Sequence, residues 1–528
     1  MARCRKALQK ANFARRFCRR MPILIGLFLG VLLWTAARLH NGSPIIPASI
    51  MRLGHKEAPP PPPPPPDPLP GTDRPSWKPG MCNIPEIEFL RSSKLGLTSS
   101  IVYTRRCVKP TRSASTNRDE IANITAPLIS SKTTVNLTDC SAVELPPCEP
   151  LHLTVPLPFP TKQYPHLLFG IASNYERIVA GLPEFAHWLS DTGAQLIGIV
   201  ADADDVRNPQ YNLTTLTALY AARNITATFL PPTLKTRING EGPPPIEHHH
   251  FLLVQTLHDH LTPATRWLGI LDDDTFFPAL APLDAALAAH DHTQSTWLGA
   301  LSDDFGSVRT WGMMAFGGAG IFVSPPLAAA VAARSDACLR NQPTATGDGL
   351  LRDCIYAYTR TQLTLVPGLH QMDMRGDPSG FFEGGLRPLP LSLHHWKSWF
   401  RAPVAAMARV ATLVCGGCML QRWRVGGDTV FTNGWSVAVY DTLEGIDLDR
   451  VEGTWAHPTR EFDPTYGMLR ERVPRERKRS YLLREAVEDT VDGKRVLRQV
   501  YVYRPEEGWE DKTRAWEGDE VVEMFWEI

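Results

Sequence analysis

The run Asp272-Asp273-Asp274 closes the apolar stretch Trp267-Leu268-Gly269-Ile270-Leu271, and it constrains this chain more than any other feature. An apolar run of this length reads as a buried strand whose end emerges at a polar site. Three adjacent carboxylates repel one another and stay ionised only where a cation or hydrogen-bond donors share their charge. Hard divalent ions such as Mg²⁺ and Mn²⁺ take one or two protein carboxylates and complete their shell with water and phosphate oxygens. The competing reading is an acidic turn after a strand, with no ligand.

The flanking sequence alternates strand and helix. His166-Leu167-Leu168-Phe169-Gly170-Ile171-Ala172 reads as a buried strand and Ser173-Asn174-Tyr175-Glu176 as a helix capping box. Ile178, Leu182, Phe185 and Leu189 follow at helical spacing, with a break expected at Gly181-Leu182-Pro183. Leu196–Val200, ending in Ala201-Asp202, is a second strand, and Ile225–Leu230 a third. Phe251, Val254, Leu257 and Leu261 give another helix face before the strand into Asp272. Repeated strand–helix units imply an α/β domain with a mainly parallel sheet, whose ligands bind at the carboxyl ends of the strands. Asp202 and the acidic run both sit at such ends.

Three more motifs follow. Trp311-Gly312-Met313-Met314-Ala315-Phe316-Gly317-Gly318-Ala319-Gly320 leads into the strand Ile321–Ser324. Its glycines allow a tight turn or a close backbone approach to a ligand. Gly347-Asp348-Gly349 precedes a helical stretch with Leu351, Cys354, Ile355 and Tyr358 on one side, and Leu393-His394-His395-Trp396 comes last. A histidine pair is more often hydrogen-bonded structure than a metal ligand unless something else demands a metal.

The ends of the chain have a different character. Eight basic residues and no acidic one occupy the first twenty positions, and the uncharged, apolar Met21–Ala37 follows. That span is near the lower limit for crossing a bilayer, and a long basic arm without a cleavage site favours a retained anchor with the bulk of the chain on the far side. Pro59–Pro66 is a polyproline rod within a low-hydrophobicity spacer. Sequons at Asn123, Asn136, Asn212 and Asn224 fit an extracytoplasmic body; a fifth, at Asn41, lies close to the membrane. So does the even set Cys82, Cys107, Cys140, Cys148, Cys338, Cys354, Cys415 and Cys418, which suggests disulfides. The Cys415-Gly-Gly-Cys418 pair lacks the second half of a zinc site, which leaves a local disulfide or two separate bridges. Net charge is zero, and apart from the basic arm before the apolar span no basic patch suggests nucleic-acid binding. Thr429–Tyr440 and Lys494–Tyr503 alternate like antiparallel strands.

In their order, the DDD run, the W…GGAG segment, an acidic residue heading a helix and a late histidine resemble the Fringe-like family of glycosyltransferases. That family includes the mucin-type core β-1,3-galactosyltransferases, and its fungal members have a similar Pro-rich type II layout. The resemblance covers roughly Tyr164 to Phe400. It implies a glycosyltransferase-A (Rossmann-like) fold, a UDP-sugar donor, Mn²⁺ or another divalent cation, and inversion at the anomeric carbon. By the same resemblance Asp274 is the direct metal ligand and Asp272 and Asp273 face the nucleotide. His394 completes the metal shell, with His395 as the alternative, and Asp348 is the general base. Ala172, Ser173, Arg177, Asp202, Gly318, Ala319 and Gly320 are the remaining residues expected at the donor site. The family's acidic motif often has two adjacent carboxylates, whereas Gly349 follows Asp348 here; Asp353 is the fallback base.

The expected map is therefore a cytoplasmic arm (1–20), a signal-anchor (21–37), a Pro-rich lumenal stem (38–160), a catalytic domain (161–400) and a β-rich extension (401–528). The expected setting is the Golgi membrane or a neighbouring secretory compartment, with a glycan or glycoprotein acceptor. A phosphotransferase of the D-x-D-x-T type does not fit, because Phe276 stands two positions after Asp274. A non-catalytic glycan-binding or scaffold protein on a decayed transferase fold is the alternative.

Overall fold

The computed structural model describes residues 84–528, apart from 131, 140–144, 204–209, 239–241, 342–343, 345, 385–387, 457–462, 468, 492 and 505–517, together with isolated positions from 75 to 82. The expected anchor and the polyproline rod lie outside the described residues. Among those described, no helix is long and apolar enough to cross a membrane.

The segment expected to be stem carries the first four strands, β1 (Ser100–Arg112), β2 (Ala122–Ile124), β3 (Thr133–Asn136) and β4 (Glu149–Val155). β1 pairs antiparallel with β3 and parallel with β4, and Cys107 is disulfide-bonded to Cys148. A Ser/Thr/Pro-rich composition hid a period-two pattern, clearest where Leu151, Leu153 and Val155 are buried and His152 and Thr154 are exposed.

The second layer is a seven-stranded sheet of β5 (Leu167–Ser173), β6 (Gln195–Val200), β7 (Thr226–Leu230), β8 (Trp267–Leu271), β9 (Trp297–Gly299), β10 (Ile321–Val323) and β11 (Leu363–Leu365), in the order β11-β9-β10-β8-β5-β6-β7. β8, β5, β6 and β7 run parallel, but β10 is antiparallel to both β8 and β9, so the sheet is mixed and not mainly parallel. The cause is the glycine turn before β10. Gly320, at φ 98°, delivers the chain to the sheet at the end where the acidic run sits, so β10 leaves in the opposite direction. Helices α1 (Tyr175–Ala180) and α2 (Leu182–Leu189), separated at Gly181 as expected, cover one face, where Phe169, Ile171 and Trp188 share a core. Helix α3 (Ile246–Asp259) covers the other, with Phe251, Val254 and Leu257 against Leu168 and Ile270. The short helix α4 (Phe305–Trp311) and the longer α5 (Gly347–Tyr358) flank the glycine turn, and Cys338 is disulfide-bonded to Cys354 of α5.

The expected capping box does not form. Ser173 is the last residue of β5 and its hydroxyl donates to Asp273, while the first amide of α1, at Tyr175, is capped by Asp202 Oδ1 at 2.8 Å. A carboxylate at the neighbouring strand end outcompetes the local hydroxyl for an orphan helix amide.

Helix α6 (Val404–Leu413) packs on α2 and on the second sheet, so the two sheets share one core. Two short ladders join the intervening segments: β12 (Arg375–Gly376) with β17 (Trp455–Ala456), and β16 (Val451–Glu452) with β18 (Leu469–Arg470). The β-rich extension forms β13 (Arg422–Val425), β14 (Thr429–Thr432), β15 (Ser436–Tyr440), β19 (Lys478–Val491), β20 (Lys494–Tyr503) and β21 (Asp519–Glu527). With β1–β4 these make a ten-stranded sheet in which β1 lies parallel to β21, Ile101 opposite Asp519. Cys415 and Cys418 form a local disulfide; Cys82 is buried, and Cys140 lies outside the described residues.

The β1–β21 seam contains a buried ion pair. Glu523 accepts from Arg498 Nε at 2.6 Å and from the Tyr103 hydroxyl, and all three side chains are excluded from water. Replacing one member of such a cluster leaves the others desolvated and uncompensated. Glu523→Ala is expected to destabilise the protein by about 3–5 kcal/mol, read as a lower denaturation midpoint.

Candidate active site

The three aspartates leave β8 in a tight turn and point three ways. Thr275 Oγ1 accepts the Asp272 amide at 3.2 Å and donates to the Gly318 carbonyl at 3.0 Å, which fastens the acidic turn to the glycine turn. Asp273 is buried and fully occupied. Its carboxylate takes Arg177 through Nε at 2.5 Å and through a second guanidinium nitrogen, takes the Ser173 hydroxyl, and has Lys397 Nζ at 3.7 Å. These partners neutralise it and turn it inward, so Ser173 and Arg177, both expected at the donor, hold Asp273 in place. Ala172 is buried in β5 beside them. Asp272, 37% exposed, is the member of the run open to solvent.

Residues 393–397 clamp this turn. Phe276 and Leu393 exchange both backbone bonds at 2.9 Å, which sets His394 beside Asp274. His395 has φ 59°, a conformation that costs roughly 1–2 kcal/mol for a non-glycine residue. The kink directs its neighbours back to the acidic run: Trp396 Nε1 donates to the Asp274 carbonyl at 2.7 Å and Lys397 Nζ to that of Asp273 at 3.3 Å. Both His395 ring nitrogens are engaged, by Asp373 at 3.1 Å and Ser398 at 3.3 Å, and its ring stacks on Trp399.

His394 is placed differently. Its Nδ1 lies 3.1 Å from the Gln371 carbonyl, which can only accept, so Nδ1 carries a hydrogen. Its Nε2 then faces two more acceptors, Asp274 Oδ1 at 2.9 Å and Asp272 Oδ2 at 3.3 Å. A neutral lone pair aimed at two carboxylates is repelled, so the arrangement requires a proton or a metal cation at that point. With no cation present, burial lowers the His394 pKa but Asp274 and Asp272 outweigh it, and the ring is held well above its ordinary value. Asp274 responds in the opposite sense: burial raises it, and His394 holds it far below the usual carboxylate range. Asp274, His394 and His395 offer ligand atoms within 4.8 Å of one another. Carboxylate oxygen plus imidazole, with the far ring nitrogen on a carbonyl, fits a divalent ion such as Mn²⁺.

Asp348 faces this group from α5. It is not the N-cap, a role filled by Thr346, whose hydroxyl accepts the Gly349 amide at 3.2 Å. Gly347-Asp348-Gly349 is the first turn of the helix itself. Asp348 Oδ2 accepts the Gly317 amide at 2.8 Å, and 19% of the side chain stays exposed. Burial, aided by the charge of Asp272, pushes its carboxyl up to about 6 against the opposing pull of His250 and the Gly317 amide. The helix dipole at this first turn favours the ionised form but is outweighed by desolvation. Asp353 points elsewhere and is held by Arg352 at 2.8 Å and by the Thr344 hydroxyl.

The glycines make room for side chains. A Cβ on Gly317 would lie 2.7 Å from Asp348 Oδ1, and one on Gly318 2.1 Å from His394 Nδ1. The Ala319 amide donates to Gln371 at 2.9 Å and its carbonyl accepts from Ser392 at 2.7 Å, so the turn is locked from both sides. His250, Gln371 and Asp373 were not singled out from sequence. The run His248-His249-His250 heading an amphipathic helix was the one available signal. Tyr175 stacked on Tyr211, beside Asp202, was likewise invisible, because the pair forms only across two loops.

A family model described as a protein of unknown function, DUF604, matches residues 308–411, a span that contains the glycine turn, Asp348 and His394 but not the acidic run. No curated protein matches the chain. Among solved structures it is similar to the mannosyltransferase PcManGT from Pyrobaculum calidifontis, solved with GDP-Man and Mn²⁺, with 10% identity, a TM-score of 0.26, and coverage of 42% of this chain and 60% of that one. It is similar to the glycosyltransferase GlyE of Streptococcus pneumoniae TIGR4, with 14% identity, a TM-score of 0.28, and coverage of 48% and 61%. Mouse xyloside xylosyltransferase 1 matches with 10% identity, a TM-score of 0.26, and coverage of 39% and 85%. The chain spans about three fifths of the length of the first two. Likeness at this distance leaves the chemistry to be read from the site.

Gly318→Ala tests the cradle. The added methyl must displace the His394 ring, so Mn²⁺ affinity is expected to fall roughly 10–100-fold by calorimetry.

Proposed function

We propose that this chain is a metal-dependent inverting glycosyltransferase that moves a hexose or N-acetylhexosamine from a UDP-sugar to a hydroxyl of a glycan or glycoprotein. The observation that carries the reading is the convergence of Asp272, Asp274 and His394 with Asp348 around one glycine turn. These groups come from four separated stretches of sequence. A protonated His394 would by itself compensate the acidic run; what an acidic turn without a ligand has no need of is Asp348, brought to the same glycine turn from α5.

Asp274 and His394 would hold the cation, with His395 committed to Asp373. When bound, a divalent ion neutralises charge on a departing diphosphate. Asp272, on the open side, faces the donor; Asp202 and the Tyr175–Tyr211 pair offer a carboxylate and a flat surface at the ends of β5 and β6. Asp348 takes the proton of the acceptor hydroxyl as its oxygen attacks the anomeric carbon from the face opposite the diphosphate. A carboxyl near 6 is better suited to this than one near 4, because it is ionised at neutral pH and still basic enough to accept a proton. The basic arm and apolar span, the exposed sequon asparagines Asn123 and Asn136 and the three disulfides support a single-pass type II setting in the Golgi or a neighbouring compartment.

The decisive experiment is UDP release from UDP-glucose, UDP-galactose, UDP-N-acetylglucosamine and UDP-N-acetylgalactosamine, with and without Mn²⁺. No release from any donor, with no Mn²⁺-dependent UDP binding, leaves the scaffold alternative standing. Asp274→Asn is expected to abolish Mn²⁺-dependent UDP binding, measured calorimetrically, in a protein that still unfolds cooperatively, although at a lower melting temperature because His394 loses its buried partner. Asp348→Asn keeps an oxygen for the Gly317 amide but cannot accept a proton. It should melt and bind UDP like the wild type while losing about 10²–10⁴-fold in turnover. Because the ionised carboxylate is the active form, wild-type kcat should fall as pH drops through about 6, a limb absent from Asp348→Asn.

A further inference from the structure

One buried side chain of this constellation has no task in the reaction as described. His250 lies on α3, and its ring is enclosed by two carboxylates: Nδ1 is 3.5 Å from Asp348 Oδ1 and Nε2 is 3.3 Å from Asp272 Oδ1. Two glycines from separate segments leave the space it fills. A Cβ on Gly317 would come within 2.9 Å of Nε2, and one on Gly347 within 2.6 Å of Nδ1. The following residues Phe251, Val254 and Leu257 sit in the apolar layer under the sheet, so the ring is fixed relative to β8. Its neighbours contrast with it. Burial depresses His248 and His249, with nearby positive charge from Arg237 and from Lys235 respectively adding to the effect. Of three consecutive histidines, His250 is the one turned toward the carboxylates.

We propose that His250 is a positioning residue for the Asp348 base: wedged between Asp348 and Asp272, it fixes the carboxylate oxygen that the Gly317 amide leaves free and links the base to the acidic run. The inference rests on reading Asp348 as the base. Oδ2 accepts the Gly317 amide, and Oδ1, the oxygen left for an incoming hydroxyl, faces the His250 ring across a 3.5 Å charge contact. In the transfer the acceptor proton moves to Asp348 and the acceptor oxygen bonds to the anomeric carbon. The bond from that carbon to the diphosphate breaks, and its electron pair leaves with the diphosphate. His250 gains and loses no proton in this balance.

Its charge matters as well as its place. Burial disfavours an imidazolium, but Asp272 at the end of β8, Asp348 on α5 and Glu247 on its own helix outweigh burial and raise His250 to about 9. The charged groups facing Asp348 are His250, Asp272 and His394. Removing His250 therefore leaves Asp348 beside Asp272 with less compensation, and the base should titrate at higher pH.

The test uses the full chain with Mn²⁺ and the active donor from the UDP-sugar panel. His250→Gln, which keeps a hydrogen-bonding group but never the charge, should lower kcat roughly 10–100-fold with the donor KM little changed. The acid limb of kcat should move to higher pH. In the Asp348→Asn background the same change should cost almost nothing more, because the group it positions is gone. If His250→Gln melts early, His250→Ala with added imidazole replaces it, and recovery of turnover with the limb back at its wild-type pH supports the role. An unshifted limb in an active, folded variant, or a full additional loss in the Asp348→Asn background, overturns it. A wild type that releases no UDP is instead a failure of the transferase reading, and histidine ¹⁵N resonances then decide the link without turnover. The His250 signal, identified by its loss in His250→Gln, must shift in Asp348→Asn; a signal that stays put overturns the proposal.

Discussion

His394 is the centre on which the site turns. Its Nδ1 hydrogen is committed to the Gln371 carbonyl, and its Nε2 is buried against Asp274 and Asp272. Nothing neutral satisfies that geometry. A proton satisfies it, and a divalent cation would satisfy it equally, which is why these atoms are the ones proposed to hold the metal. The features around it serve this placement: the two-bond bridge between Phe276 and Leu393, the left-handed backbone at His395, the missing Cβ at Gly318 and the Gln371 amide oxygen on the Ala319 N–H.

Electrostatic division of labour follows from how each carboxylate is compensated. Asp273 is neutralised by Arg177 and Lys397 and becomes part of the frame. Asp274 is compensated by His394 and stays ionised far into acid. Asp348 is compensated least and sits nearest neutrality. Three neighbouring acids of the same intrinsic acidity thus differ through burial and partner choice, which is what suits them to the proposed roles of frame, metal ligand and base.

Short ladders and one ion cluster tie the segment that carries Gln371 and His394 to the rest of the chain, the ten-stranded sheet included. β12, in the segment between Gln371 and His394, pairs with β17, and the Asp304 carboxylate accepts the Asp463 amide at 3.2 Å. Lys478 on β19 bridges Glu383 at 2.6 Å and Glu452 at 2.8 Å, so the helix following β12 is tied to that sheet by a buried ion cluster. Strands from residues 100–155 complete the same sheet, and the segment expected to be a spacer is therefore part of the scaffold.

Local chemistry was legible in the sequence. The buried strand before Asp272, the helix break at Gly181, the first two parallel strands and the hairpin at Thr429–Tyr440 all follow from spacing and residue type within a short window, whereas the structure chose the local Cys415–Cys418 bridge from the two pairings left open. The candidates Asp274, His394 and Asp348 were marked by motif order, and the structure brings them together. What the sequence could not determine depends on partners outside any local window, from tens of residues apart to hundreds. The direction of β10 is set by where the chain enters the sheet, and β1 has no readable partner until β21 is placed beside it. Ser173 turns its hydroxyl to donate to Asp273, and the Asp202 carboxylate, a stronger acceptor than a hydroxyl, takes over the helix end. His250 is indistinguishable from His248 and His249 until α3 is docked. Only then do burial and the two carboxylates facing it separate His250 from its two neighbours, because those fields depend on distance and not on sequence.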